Sequence, residues 1–261
     1  MDVPVRELPG GVRMPVLGLG VWQMAEGRET EQAVEWAVEA GYRHVDTATM
    51  YRNERSVGAA LRRSGIPREE LFVTTKLMPA RMDAARELDR SLARLGLDRV
   101  DLYLIHWPVP LVSERLWAQL VALRERGLAR AVGVSNFGRD RLAKLDANGA
   151  EPPAVDQVHF SPLHFRRGLV EYCREHGIVL EAYSPLERGK GLSNPVVVGI
   201  ASRIGRTPAQ VMLRWAVQHG AVVIPKSSRQ DRIRSNAQIF DFELADADMR
   251  ALDGLSPTRT R

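Results

Sequence analysis

Eight short, nearly continuous apolar runs, each followed by a segment with helical spacing, constrain this chain more than any other feature. The runs cover 16–20 and 44–46, then two that end at Lys76 and His106, then 131–135, 155–158, 178–183 and 221–224. Helical spacing is read at 30–40, 53–64, 114–126, 140–148, 168–176 and 246–255, and also after Asp83, from Thr207 to His219 and from Arg229. Strands that are apolar along their length, not alternately, belong to a parallel sheet covered by helices on both faces. Eight such units in 261 residues match the roughly 250 residues of one (β/α)8 barrel. The expected fold is therefore α/β, a single (β/α)8 TIM barrel domain spanning 1–261. No Gly/Ser- or Pro-rich linker or charge block divides it. Leu8-Pro9-Gly10-Gly11-Val12-Arg13-Met14-Pro15 reads as an N-terminal hairpin plugging the barrel, and the last two helical segments are C-terminal additions. An open doubly wound sheet is the alternative, but it needs a phosphate loop. Gly18-Leu19-Gly20 begins like one, yet Gln23 replaces the third glycine and the helix starts too late.

Three polar residues end such runs: Asp46, Lys76 and His106, with Tyr51 five residues after Asp46. In a parallel barrel these strand tips converge on the face that carries chemistry. A tyrosine beside a lysine, a carboxylate and a histidine is a proton donor, with a pKa expected to move down toward neutrality. Lysine placement adds weight, because only Lys76, Lys144, Lys190 and Lys226 are lysines among 37 basic residues. Arginine serves wherever a plain positive charge suffices, and lysine differs in being compact and tunable.

Other features narrow the function by exclusion. The net charge of +5 is scattered among acids, with no basic block interleaved with aromatics, so nucleic acid is not an expected partner. Cys173 is the only cysteine, which leaves no internal disulfide and no thiolate metal site, and it is expected to pack in a helix. His159 and His164 supply two nitrogens on a loop and no nearby acids are expected to join them, too few for a metal centre, so no metal is expected. The start, Met1-Asp2-Val3-Pro4, lacks a basic-then-apolar leader, and no 18-residue apolar run exists. The expectation is a soluble, cytoplasmic, monomeric enzyme acting away from membranes on a small molecule.

Three separate motifs carry a resemblance. Gly41-Tyr42-Arg43-His44-Val45-Asp46-Thr47-Ala48, with Tyr51, Glu54 and Gly58 at matching spacing, is the first. Gly133-Val134-Ser135-Asn136-Phe137 and Ile224-Pro225-Lys226-Ser227 are the second and third. In this order they resemble the signatures of the aldo-keto reductases, over nearly the whole chain. The nearest likeness is to the small bacterial diketogluconate and methylglyoxal-type reductases. The resemblance implies NADPH-dependent reduction of aldehydes or small ketones by hydride transfer, with Asp46, Tyr51, Lys76 and His106 as the catalytic tetrad and Tyr51 as proton donor. It implies that Ser135, Asn136 and Gln157 hold the nicotinamide carboxamide and that Tyr183 stacks on the ring. Ser184 and Leu186 then meet the pyrophosphate, Lys226, Ser227 and Arg232 the adenosine-ribose phosphate, and Asn236 the adenine. A lysine and an arginine near a helix N-terminus suit a phosphate monoester, which favours NADPH over NADH.

The chain departs from the family pattern at Ser235, where many members carry glutamate. It does so again at Asp156-Gln157-Val158-His159-Phe160-Ser161-Pro162, in place of Asn-Gln-x-Glu-x-His-Pro. Short segments after Pro108 and after Leu255 predict an open substrate pocket walled by Trp22, Trp107, Tyr51 and Met78. The alternatives are a cofactor-binding regulatory or sensor module with little turnover, and an aldolase using Lys76 as a Schiff-base nucleophile.

Overall fold

A computed structural model of the protein describes residues 3–147 and 151–256. The chain opens with an antiparallel hairpin of β1 (Val5–Leu8) and β2 (Val12–Pro15), paired from Val5↔Pro15 to Leu8↔Val12. Eight parallel strands follow: β3 (Gly18–Gly20), β4 (His44–Asp46), β5 (Phe72–Leu77), β6 (Val100–Ile105), β7 (Ala129–Ser135), β8 (Val155–His159), β9 (Val179–Tyr183) and β10 (Val222–Val223). Each pairs with the next in sequence. The ring closes between its ends through a parallel bridge of Leu17 with Val223, helped by Val223 N–H donating to the Val16 carbonyl at 2.9 Å. Leu8, Val12 and Met14 are buried against Phe72, Leu102, Leu104, Val155 and Val222, so the hairpin seals the N-terminal end of the barrel as expected.

Gly18 and Gly20, the false start of a phosphate loop, have a packing role at this seam. A Cβ on Gly18 would stand 2.6 Å from the His44 ring, and one on Gly20 would stand 2.8 Å from the Ile224 carbonyl oxygen. Only glycine lets β3 approach its neighbours this closely.

The surrounding helices are α1 (Arg28–Glu39), α2 (Glu54–Arg63), α3 (Ala84–Leu95), α4 (Val112–Glu125), α5 (Arg139–Ala147), α6 (Arg167–Glu175), α7 (Pro195–Ile204), α8 (Pro208–Gln218), α9 (Gln230–Ala237) and α10 (Asp246–Asp253). Asp83 caps α3 by accepting from Arg86 N–H at 3.0 Å. Thr207 and Gln210 cap α8 reciprocally, at 3.2 and 2.9 Å. Both caps were legible in the sequence. Cys173 is buried on α6. The expected end of α5, Asn148, lies outside the described residues.

One helix was not anticipated. α7 begins Pro195-Val196-Val197-Val198, a β-branched run whose local preference is for a strand. The Asn194 side chain overrides it by accepting from Val196 N–H at 3.0 Å and from Val197 N–H at 3.5 Å, and Pro195 presets the first turn.

Candidate active site

Lys76 lies near the C-terminal end of β5, its side chain without solvent exposure. All three of its N–H groups are directed: to Asp46 Oδ1 at 2.5 Å, to the Thr47 carbonyl at 2.9 Å and to the Tyr51 hydroxyl at 3.2 Å. Asp46 ends β4, and the short turn Thr49–Tyr51 folds Tyr51 back over Lys76. Asn53 braces that turn by accepting from Thr47 Oγ1 at 2.8 Å while donating to the Val21 carbonyl at 2.9 Å. His106 immediately follows β6, its ring edge-on to Tyr51 with centroids 5.6 Å apart. The structure thus brings together the three residues singled out at strand tips and Tyr51 on the turn after β4.

Their ionisation follows from burial. Desolvation would strip Lys76 of its proton, but the Asp46 carboxylate beside it holds its pKa above the usual value. Burial likewise lifts the Asp46 carboxyl, while Lys76 and the Gln157 amide draw it back toward the anion. His106 is pushed down to about 3, first by burial and then by the Lys76 charge, so its imidazole is neutral near pH 7. Tyr51 departs from expectation. Burial raises its phenol, and the pull of Lys76 does not overcome that lift, to which Asp46 and Glu181 add. The phenol is held protonated, not poised near neutrality.

A cleft of about 700 Å³ opens over these groups. Asp46, Tyr51 and His106 line it together with Trp22, Trp107, Ser135, Asn136, Gln157, Tyr183, Ser184, Leu186, Lys226, Ser227, Arg232 and Asn236. Lys76 stands behind its wall, fully buried. Met78, expected in the substrate pocket, does not line the cleft. Trp107 is 45% exposed, and the segment before α4 is only 106–111, so this side stays open.

The polar groups beside the tetrad form a chain. Gln157 Nε2 donates to Asp46 Oδ2 and to Glu181 Oε2, each at 2.8 Å. Ser135 Oγ donates to the Gln157 carbonyl at 2.8 Å and accepts from Asn136 Nδ2 at 3.0 Å. The Tyr183 hydroxyl donates to Asn136 Oδ1 at 2.7 Å. Asn136 and Ser184 adopt left-handed backbone, φ 64° and 49°, at the tips of β7 and β9. Strain of this kind at non-glycine residues concentrates at functional sites. At the far end, Lys226, Arg229 and Arg232 surround the start of α9. Arg229 pairs with Asp231 at 2.9 Å.

Sequence reasoning missed several participants. Arg188 and Gln23 line the cleft, and the Arg188 guanidinium lies 4.7 Å from the Trp22 ring centre. Both fall outside the motifs. Glu181 left a signal, a lone acid inside the apolar run of β9. His159 needs a correction, since an acid does lie near it: Glu187 stands 2.7 Å from His159 Nε2 and also accepts from Ser161. His159 stacks on His164 and on Tyr183. Among the described residues no group of three such side chains is arranged to hold a metal ion.

Residues 16–257 match the model of the Aldo/keto reductase family. The chain belongs to that family. It is 46% identical over 255 residues to the 9,11-endoperoxide prostaglandin H2 reductase of Trypanosoma cruzi, covering 95% of this chain and 90% of the relative. It is 44% identical over 253 residues to the glyoxal reductase of Bacillus subtilis, covering 96% and 92%. An aldo/keto reductase structure from Brucella melitensis superposes with a TM-score of 0.93 at 40% identity, covering 98% of this chain and all of that one. A Bombyx mori aldo-keto reductase in complex with NADP gives 0.89 at 33% identity, covering 98% and 94%. The family and its named reductases make the protein an oxidoreductase.

Proposed function

We propose that this protein reduces aldehydes and small ketones to alcohols with NADPH, and that Tyr51 supplies the proton. The observation that carries the reading is the directed Lys76 ammonium, whose N–H points at the Tyr51 oxygen from 3.2 Å. Because that oxygen accepts from Lys76, its own O–H is free to point into the cleft. When bound, the cofactor supplies a hydride to the carbonyl carbon. Negative charge then develops on the carbonyl oxygen, and Tyr51 neutralises it by passing over its proton. An alkoxide is far more basic than a phenolate, so a phenol held protonated by burial is a suitable donor. The phenolate left behind sits against Lys76, whose charge Asp46 fixes in place. His106, neutral, orients the carbonyl by donating a hydrogen bond from its ring.

The residues present fit NADPH. Apart from Asp46, which is paired with Lys76, no carboxylate among the described residues lines the cleft, and Lys226 and Arg232 give one end a positive charge. That end suits a phosphate monoester beside the adenosine ribose. Ser135, Asn136 and Gln157 would hold the carboxamide, Tyr183 would cover the ring, Ser184 and Leu186 would flank the pyrophosphate, and Asn236 would face the adenine. Loss of NADPH absorbance across a panel of aldehydes, ketones and dicarbonyls tests the reading. Tight NADPH binding without turnover of any carbonyl would replace it with the regulatory-module alternative.

A further inference from the structure

Beneath the tetrad lies a carboxyl that the proposed reaction leaves unused. Glu181, on β9, has no solvent exposure and faces the barrel interior. Its Oε2 accepts from Gln157 Nε2, and its Oε1 has no hydrogen-bond partner among the described residues, with His44 Nε2 at 3.6 Å. Gln157 has two N–H groups on that nitrogen, and both are engaged, one by Asp46 and one by Glu181. Turning the amide over would set its oxygen against the Asp46 carboxylate and take the donor away from both Asp46 Oδ2 and Glu181 Oε2. Its oxygen therefore remains on the side of the cleft, which Gln157 lines. An isolated Asp46 could not enforce this alone, because the second N–H would lack a partner in a buried place.

Charge forms the other half of the argument. The groups facing Glu181 are His44 and Asp46 from β4, Lys76 from β5 and Gln157 from β8, with Tyr51 beyond Lys76. From β10 its register partner is Val222, which carries no charge. His44 is pushed down to about 3 by burial, so it offers Glu181 no cation near neutral pH. Asp46 and Lys76 cancel, so among these facing groups Glu181 decides whether the set is neutral or negative. Burial raises its carboxyl to about 8, so this decision falls in the mildly alkaline range.

We propose that Glu181 is a positioning residue of the site: it holds the Gln157 amide with its oxygen toward the cleft, and its negative charge, when present, keeps the proton on Tyr51. The proposal deepens the reductase reading and rests on it for the roles of Gln157 and Tyr51. Its consequence is protection of carbonyl reduction at alkaline pH. As the solution turns basic, Glu181 ionises before Tyr51 does, and the added negative charge makes the phenol harder to deprotonate. The proton donor stays loaded over a wider range.

Glu181→Gln and Glu181→Leu separate the two halves. The glutamine retains an acceptor for Gln157 and cannot ionise, whereas the leucine removes both properties. NADPH binding, followed by quenching of tryptophan fluorescence, should stay within about twofold of wild type in Glu181→Gln and weaken roughly tenfold in Glu181→Leu. The Tyr51 titration is read from the tyrosinate absorption band, as the difference between each protein and its Tyr51→Phe partner. In Glu181→Gln that transition should move down by roughly 0.5–1 pH unit, and the alkaline limb of kcat for reduction should move with it. An unmoved Tyr51 transition in Glu181→Gln, or unweakened NADPH binding in Glu181→Leu, overturns the proposal. The titration needs neither turnover nor the leucine variant to fold. A wild type that binds NADPH without reducing carbonyls would sink the reductase reading and still leave the Glu181 effect on Tyr51 measurable.

Discussion

The buried Glu181 carboxyl also makes a quantitative statement about stability. Its pKa is 4.5 as a free side chain and about 8 in the folded protein, raised chiefly by burial, with Asp46 adding to the shift. The folded state thus holds this proton more tightly than the unfolded state. Stability is unaffected below pH 4.5, falls as the pH rises through the interval, and carries the whole penalty above about 8. A gap of about 3.5 units, at about 1.4 kcal/mol per unit, gives about 5 kcal/mol. Glu181→Gln has no proton to lose while keeping an acceptor for Gln157. Near pH 4.5 the variant should match wild type, and by about pH 8 it should exceed it by about 5 kcal/mol, roughly 3 of which accrue above about pH 6. Other buried groups, His44, His106 and Asp156 among them, are shifted in both proteins and drop out of the difference. Urea unfolding of the cofactor-free proteins, followed by tryptophan fluorescence at a series of pH values, measures it. Parallel stability curves would refute the reasoning, since they would mean that Glu181 binds its proton equally well folded and unfolded.

Tyr51→Phe should leave NADPH binding nearly intact and remove most carbonyl reduction, because only the proton donor is lost; comparable turnover in steady-state assays would remove Tyr51 from that role. Lys226→Ala with Arg232→Ala should weaken NADPH far more than NADH, by roughly 1.5–3 kcal/mol per contact, and equal losses in titrations of the two would misplace the phosphate clamp. Lys76→Met should strand Asp46 as a buried unpaired carboxylate and cost about 3–5 kcal/mol in denaturant unfolding, a loss that adding Asp46→Asn should largely restore. The open side at Trp107 should admit several small aldehydes and dicarbonyls with KM toward about 1 mM, and one substrate preferred by orders of magnitude in a kinetic survey would argue against it.

The fold was legible because its signal is local and repeated. Each apolar run and each helical stripe is readable over about ten residues, and the caps at Asp83 and Thr207 are local as well. Asp46, Lys76 and His106 were legible for a related reason, since the barrel converts a position at a strand's end into a position on one face. α7 was not anticipated for the same local reason, because Val196-Val197-Val198 does not favour a helix until the Asn194 cap is counted. Met78 shows the limit of counting from a strand tip, since two residues past Lys76 already lie off the cleft.

What stayed hidden is the interior beneath the tips. Glu181 meets Gln157 across 24 residues of sequence, and Gln157 meets Asp46 across 111. Which of the inward-facing polar residues touch depends on the stagger of the strands and on the closure at Leu17 and Val223, neither of which the sequence displays. The phenol's proton affinity is a sum over that hidden set. Reading Lys76 beside Tyr51 predicts a lowered pKa, and the prediction fails because burial outweighs the ammonium, with Asp46 and Glu181 adding to the lift. The direction of a shift therefore cannot be taken from one neighbour, however well placed, when the same barrel that positions the neighbour also excludes the water.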